Sequence, residues 1–180
     1  MLFRSLDSTR LQARLAGHFR IAQHRVTGCR TYGGHGQEMA LFKGDTRIDG
    51  VPLNDIIAGL ETINGVTLNT DDWSTIRADV VNGGARIIKL RGRSSFQSPG
   101  HLTALMIKAA AGGESFSWPC GAYLTGVPYH HVMMAMPAHL GPTGVRWSLP
   151  SGDDPEHSAL DPAYAHPEAF RDETIHIGLS

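Results

Sequence analysis

Apolar residues recur at helical spacing near the start of the chain. From Asp7 to about Ala22 they fall on one face of a helix with 3.6 residues per turn, at Leu11, Leu15, Phe19 and Ala22. Asp7 or Ser8 could cap the start of this helix, because their side-chain oxygens can accept hydrogen bonds from free backbone N–H groups. The pattern therefore predicts a long amphipathic helix that begins with polar residues.

Shorter apolar stretches then predict strands, separated by turns and by further helices. The predicted strands are Val26–Tyr32, Met39–Phe42, Thr46–Ile48, Ser115–Leu124, His131–Ala138 and Gly144–Leu149. The predicted helices are Asn54–Leu60, Trp73–Leu90, Pro99–Ala111 and a weak one at Asp154–Phe170. Gly83-Gly84 interrupts the second of these, so a kink is expected there. Because strands and helices do not alternate in regular βαβ units, we predict an α+β fold with a mainly antiparallel sheet packed against long helices.

Composition narrows the function classes. The chain has 180 residues, 41% of them hydrophobic, and a formal net charge of −1. These values suit one domain with its own core and predict no nucleic-acid partner. No apolar run approaches the roughly 18 residues of a membrane span, and Met1–Ser5 is too short for the apolar part of a targeting sequence. Cys29 and Cys120 lie far apart, which predicts two reduced thiols in a cytoplasmic protein.

The histidine count of 10 raises the question of a metal site. The candidate cluster is Tyr129-His130-His131 together with Cys120. Adjacent residues on a strand point to opposite faces, so His130 and His131 cannot both reach one ion without a bulge. The other histidines show no paired ligand spacing, and no metal site is expected.

Two short segments carry the candidate chemistry. Asp7 and Arg10 are three residues apart and share one face of the predicted helix. They can form an ordinary surface ion pair, or Asp7 can orient a histidine while Arg10 grips a carboxylate through two parallel N–H bonds. His35 lies among glycines in a turn after a strand, where it can exchange protons at neutral pH or simply hydrogen-bond to the backbone.

Motifs follow one another in an order that is characteristic of one family. Leu6-Asp7-Ser8-Thr9-Arg10 precedes Gly33-Gly34-His35-Gly36 by about one helix and one strand. The later motifs are Asp49-Gly50-Val51-Pro52-Leu53, Gly84-Ala85-Arg86-Ile87-Ile88, Gly92-Arg93-Ser94-Ser95-Phe96, Pro119-Cys120-Gly121-Ala122-Tyr123-Leu124 and Met136-Pro137-Ala138-His139-Leu140-Gly141 with Gly144-Val145. Together they resemble the C-terminal catalytic domain of the lactate/malate dehydrogenase family, closest to the lactate-dehydrogenase-like malate dehydrogenases.

This resemblance implies a reversible hydride transfer between NAD and a small 2-hydroxy acid, which becomes a 2-oxo acid. It implies that His35 is the general acid/base, that Asp7 orients it and that Arg10 binds the substrate carboxylate. Ser94 stands where the family places a small hydroxyl residue near the substrate, although Ser95 is an equally good chemical candidate. The resemblance also implies a homo-oligomer when the protein is full length.

Departures from the family pattern define the remaining expectations. Gln37 stands where the histidine turn usually has an acidic residue, and Glu38 follows it. No G-x-G-x-x-G follows a strand, so we expect the Rossmann domain and its NAD site to be absent from this chain. We therefore interpret 1–5 as a truncated or non-native start, 6–170 as the catalytic domain and 171–180 as a tail. Such a fragment is expected to be inactive alone, and the alternative is a non-catalytic assembly module derived from this fold.

Overall fold

The computed structural model describes residues 4–34 and 38–165. Its helices are α1 (Arg4–Phe19), α2 (Leu53–Ile57), α3 (Thr70–Val81), α4 (Gly83–Arg91), α5 (Gln97–Ala110) and α6 (Asp154–Ser158), and residues 161–165 are also helical. Its strands are β1 (Val26–Thr27), β2 (Arg30–Gly33), β3 (Met39–Phe42), β4 (Arg47–Ile48), β5 (Val51–Pro52), β6 (Cys120–Leu124), β7 (Val132–Met136), β8 (Ala138–Gly141) and β9 (Gly144–Trp147). A 3-10 turn at Gln23–Arg25 joins α1 to β1.

The strands form three small sheets. The central sheet has the order β3-β2-β7-β6, a second has the order β1-β4-β5, and β8 and β9 form a hairpin. Every pairing among these strands is antiparallel. The predicted α+β fold with a mainly antiparallel sheet and long helices is therefore confirmed.

Strand β3 is apolar at every position because both faces of the central sheet are covered. Met39 and Leu41 face the core that contains the inner side of α1. Ala40 and Phe42 face a second core, which Leu160 helps to close on the opposite side. Successive side chains of a strand point to opposite faces, so a strand between two cores has no position left for a polar residue. The sheet is thus a fixed platform on which α1 lies.

Helix α1 ends earlier than the periodicity predicts. Leu11, Leu15 and Phe19 are fully buried, as expected. Arg20 then adopts a left-handed conformation with φ of 53°, and the Ile21 N–H donates to the Ala16 carbonyl at 3.0 Å. This is a Schellman-type helix end, in which a residue with positive φ turns the chain away from the helix axis. Ala22 consequently lies outside the helix and is exposed, so its predicted place on the apolar face of the helix is wrong.

The predicted helix Trp73–Leu90 is two helices. The Asn69 side chain accepts from the Asp72 N–H while the Asp72 carboxylate accepts from the Asn69 N–H, so a capping box starts α3. The chain breaks at Asn82, and the predicted kink at Gly83-Gly84 is confirmed as the start of α4. Helix α4 buries no side chain, and Leu90 is 76% exposed. The predicted apolar stripe therefore continues into solvent beyond the break.

Three predicted strands are interrupted or shorter than expected. Val26–Tyr32 is interrupted at Gly28, whose φ is +69° and where a Cβ would stand 1.9 Å from the Asp45 carbonyl oxygen. The stretch before Cys120 is not a strand, and Pro137 separates β7 from β8. His130 and His131 were predicted to lie on a strand, but both precede β7, so this prediction is wrong.

Both thiols, Cys29 and Cys120, are free and buried, and their predicted reduced state is confirmed. Within 4–34 and 38–165, no cluster of three metal-ligating side chains occurs. No helix in the same ranges is long and apolar enough to cross a membrane.

Candidate functional site

A cleft of about 490 Å³ lies between the start of α1 and the segment that joins α3, α4 and α5. Asp7, Arg10 and Ser94 all line it, although they come from distant parts of the sequence. The apolar part of the wall consists of Leu6, Met39, Val81, Ala85, Ile87, Ile88 and Pro99. The structure therefore brings three of the four predicted site residues to one place.

Asp7 and Arg10 form an ion pair at the edge of this cleft. The Arg10 Nη1 donates to Asp7 Oδ1 at 2.5 Å, as their spacing on one helical face predicts. Asp7 is only 2% exposed, whereas the Arg10 side chain is 23% exposed. The pair is therefore not the ordinary surface ion pair that was the alternative interpretation. A guanidinium has five N–H donors, so Arg10 can hold Asp7 and still offer donors to a ligand.

Asp7 lies inside α1 rather than before it, and so does Ser8, so the prediction that either residue caps the helix is wrong. Ser5, in the first described turn of the helix, donates from both its N–H and its hydroxyl to the Pro119 carbonyl at 3.0 and 2.9 Å. The Ser8 hydroxyl oxygen instead accepts from the Thr31 N–H at 3.0 Å. These bonds tie α1 to β2 and to the start of β6.

Ser5 and Ser8 were missed by sequence reasoning as site-building residues. Both are buried, and the sequence signal that could have revealed them is a second polar pair, three residues apart, beside Asp7. Buried hydroxyls need partners, so this pair predicts a contact with another backbone. The contact holds the Asp7 turn of α1 in place.

Gly83 is a further residue that the sequence analysis did not assign to the site. A Cβ at Gly83 would stand 3.2 Å from Arg10 Cδ and 3.5 Å from Arg10 Nε, which is tighter than most carbon contacts. The neighbouring Gly84 is less confined, since its Cβ would meet Arg10 Nη1 only at 3.9 Å. The start of α4 therefore packs directly on the Arg10 side chain, and the glycine leaves room for that side chain to reach the cleft.

His35, with Gly36 and Gln37, lies outside the described residues. The two ends of its turn are described: the Gly34 N–H donates to the Glu38 carbonyl at 3.0 Å, and Gly33 pairs with Met39 across β2 and β3. Met39, which follows Glu38, also lines the cleft. Gly33 and Gly34 are needed here, because a Cβ on either would meet Glu38 at less than 3.0 Å, at 2.8 and 2.5 Å.

Ser94 and Ser95 lie between α4 and α5, and both line the cleft. Ser94 is exposed and Ser95 is half-buried. The choice between them as the substrate-facing hydroxyl therefore stays open.

The buried cysteines are not candidates for catalysis. Burial raises the pKa of the Cys29 thiol to about 12, although the Thr46 hydroxyl and Arg30 act in the opposite direction. Burial also raises the pKa of Cys120. A nucleophilic cysteine needs a lowered pKa, so neither thiol has the reactivity of a catalytic nucleophile.

Residues 4–155 match the family model described as lactate/malate dehydrogenase, alpha/beta C-terminal domain. Because this match covers most of the chain, the chain belongs to that family, and the resemblance stated from its motifs is confirmed.

Individual relatives agree with this assignment. The malate dehydrogenase of Nitratiruptor sp. is 31% identical over 114 residues, which cover 63% of this chain and 32% of that protein. The crystal structure of Plasmodium falciparum malate dehydrogenase has a TM-score of 0.83 at 22% identity, over 97% of this chain and 54% of that one. The Eimeria maxima lactate dehydrogenase, solved with NADH and oxamate, has a TM-score of 0.79 at 23% identity, over 100% of this chain and 54% of that one. The two structures establish the shared fold, and this chain spans about a third to a half of the length of these proteins.

Proposed function

We propose that this chain is the substrate-binding and catalytic part of an NAD-dependent malate or lactate dehydrogenase, which reversibly oxidises a 2-hydroxy acid to a 2-oxo acid. The observation that carries the proposal is the meeting of Asp7, Arg10 and Ser94 in one cleft. Family membership supports the reaction class. The malate dehydrogenase relative in Nitratiruptor favours malate over lactate. The buried free thiols are compatible with a cytoplasmic location, which stays a prediction.

Arg10 is the residue that would hold the substrate carboxylate. It lines the cleft and presents a planar cationic fork that matches a carboxylate. Asp7 fixes one nitrogen of that fork at 2.5 Å. The fork is therefore pre-oriented, and less side-chain freedom is lost when a ligand binds.

His35 would move the proton on the substrate oxygen, as a general base in alcohol oxidation and as a general acid in the reverse direction. Asp7 would hold its imidazole in one tautomer and stabilise the protonated form. The burial of Asp7 supports this role, because a carboxylate in a water-poor site interacts more strongly with a neighbouring cation.

The hydride acceptor implied by the family is NAD, and the described residues do not form a site for it. A dinucleotide needs a glycine-rich turn between a strand and a helix N-terminus, and no such turn occurs in 4–34 or 38–165. NAD would take the hydride from the substrate carbon. We propose that a separate nicotinamide-binding domain supplies it and that this chain supplies carboxylate binding and proton transfer.

Two activity assays test this proposal. The 180-residue chain alone should not oxidise NADH with oxaloacetate or pyruvate, whereas a reconstruction that adds the N-terminal half of the Nitratiruptor relative should do so. In that reconstruction, His35→Asn should lower kcat by roughly 10²–10⁴-fold, the usual contribution of a general acid/base. NADH oxidation by the isolated chain, or a reconstruction unaffected by changes at His35 and Arg10, would contradict the proposal.

A second candidate function is a non-catalytic assembly module. It is favoured by large apolar side chains that α4, α5 and the loop between them leave in solvent, namely Leu90 at 76%, Phe96 at 62% and Ile107 at 63% exposure. Exposed apolar groups of this kind commonly mark association surfaces. Light scattering tests it: a stable oligomer that does not bind nicotinamide would favour the assembly module, and a monomer would count against it.

A further inference from the structure

A second cleft, of about 430 Å³, lies between the start of β2, the loop before β6 and the β8–β9 hairpin. It shares no lining residue with the cleft around Asp7 and Arg10. Its volume lies within the range of pockets that hold small organic ligands. Nothing in the proposed dehydrogenase reaction uses it.

Tyr32 is the unusual residue of this second cleft. It lines the cleft and is only 3% exposed, yet its hydroxyl has no hydrogen-bond partner within the described parts of the chain. Burial raises the pKa of Tyr32 to about 12; the nearby Arg30 lowers this pKa slightly, and the nearby Asp45 raises it further. A buried donor without an acceptor is destabilising, so a ligand that offers an acceptor oxygen here gains affinity by satisfying it.

Arg30 places a cation beside this hydroxyl. Its guanidinium lies over the Trp118 ring, 5.1 Å from the centroid, and its Nη1 donates to the Cys29 carbonyl at 2.9 Å. Both contacts fix the orientation of the guanidinium. Its remaining N–H groups have no hydrogen-bond partner among the residues that the structure describes, so they are available to an anion.

The β8–β9 hairpin supplies the opposite wall. His139 and Arg146 are directly paired across the two strands, and the Ser117 hydroxyl lies 2.7 Å from His139 Nδ1. Trp147, next to Arg146, adds a second indole to the lining, and Asp45 is the only acidic residue in it. With two arginines against one aspartate, the lining carries one excess positive charge, which suits a monoanion better than a dianion.

We propose that this second cleft binds a small aromatic carboxylate. The carboxylate oxygens accept from the Tyr32 hydroxyl and from the Arg30 guanidinium, and the ring packs against the exposed Trp118 and the half-buried Trp147. This inference is independent of the proposed dehydrogenase function, because no residue of the second cleft belongs to the Asp7–Arg10 site.

Calorimetric titration of the 180-residue chain tests the proposal, with indole-3-acetate as the probe and neutral indole-3-acetamide as its matched analogue. The acid should bind saturably and at least about tenfold more tightly than the amide, the usual difference for hydrogen bonds to a charged group. Tyr32→Phe should weaken binding of the acid by a similar factor. Tyr129→Phe is the matched control, since it alters another buried tyrosine that does not line this cleft, and it should leave the affinity unchanged.

Thermal unfolding of the free variants provides a second readout. Because the Tyr32 hydroxyl lacks a partner in the described protein, Tyr32→Phe should leave the Tm unchanged or raise it. A lowered Tm would show that the hydroxyl has a structural partner and would overturn the argument. The binding proposal is overturned if the acid does not bind saturably, if acid and amide bind equally well, or if Tyr32→Phe keeps full affinity for the acid. It is also overturned if inorganic phosphate displaces the acid and benzoate does not.

Discussion

Because Gly83 packs against Arg10, we predict that replacing this glycine by alanine weakens ligand binding and at the same time stabilises the fold. In Gly83→Ala, the new Cβ would stand 3.2 Å from Arg10 Cδ, whereas carbon atoms prefer about 3.5–4.0 Å. Arg10 must therefore shift by about 0.3–0.8 Å to restore an ordinary contact. Such a shift weakens a two-point guanidinium–carboxylate contact by about 1 kcal/mol, or about fivefold in affinity. Alanine replaces glycine at a helix start at the same time, which stabilises α4 by up to about 1 kcal/mol.

The assay compares oxamate affinity with the free energy of unfolding in urea for the same variants. Gly84→Ala is the matched control, because its Cβ meets Arg10 only at 3.9 Å. Gly100→Ala in α5 is the control for helix propensity alone, since nothing lies within 4 Å of its Cβ. We expect reduced affinity only in Gly83→Ala and no loss of stability in any variant. Unchanged affinity in Gly83→Ala, or an equal loss in Gly100→Ala, would refute the assignment of Gly83 as an Arg10-positioning residue.

Three further predictions concern the framework around the site. Ser8→Ala removes the hydroxyl oxygen that accepts from the buried Thr31 N–H at 3.0 Å, so urea unfolding should show a loss of about 0.5–1.5 kcal/mol, the usual net contribution of one hydrogen bond. In the folded protein the pKa of Cys29 is raised from 9.0 to about 12, so the contribution of the neutral thiol to stability is complete below pH 9. This contribution is lost as the pH rises from 9 to 12, by about 1.4 kcal/mol per pH unit. In urea unfolding, the free energy of unfolding of Cys29→Ala should therefore fall less steeply over this pH range than that of the wild type. The buried Glu156 carboxylate accepts from the Lys43 N–H at 2.7 Å and lies 3.5 Å from Lys43 Nζ. Glu156→Gln removes its charge, so this variant should unfold at a lower temperature than a surface control such as Glu61→Gln.

Local patterns predicted those parts of the fold that depend on neighbouring residues. The buried stripe of α1, the strand Met39–Phe42 and the helix break at Gly83-Gly84 follow from periodicity and backbone preference. The helix end at Arg20 did not, because a non-glycine residue with positive φ gives no local sequence signal. The exposure of Leu90 was also missed, since periodicity shows that a face is apolar and cannot show that another element covers it.

In the candidate site, too, the contacts between neighbouring residues could be predicted from the sequence, and the contacts between distant residues could not. The Asp7–Arg10 pair follows from a spacing of three residues on one helix, so the sequence predicts it directly. The contacts of Ser8 with Thr31 and of Gly83 with Arg10 join residues that are distant in sequence, and only the packing of α1 on β2 and α4 creates them. Only the family resemblance could associate Ser94 with Asp7 and Arg10, and in the structure all three line one cleft.

The central claim is that Arg10 binds a small 2-oxo carboxylate in the cleft beside Asp7. The most direct measurement is an NMR titration of the 180-residue chain with oxamate, in the wild type and in Arg10→Lys, which keeps the charge and loses the planar fork. The account predicts saturable shifts of the Arg10 Nε–H and of the Met39 methyl group in the wild type, with at least about tenfold weaker binding in Arg10→Lys. Absence of saturable shifts at the cleft, or equal affinity in the two proteins, would contradict it.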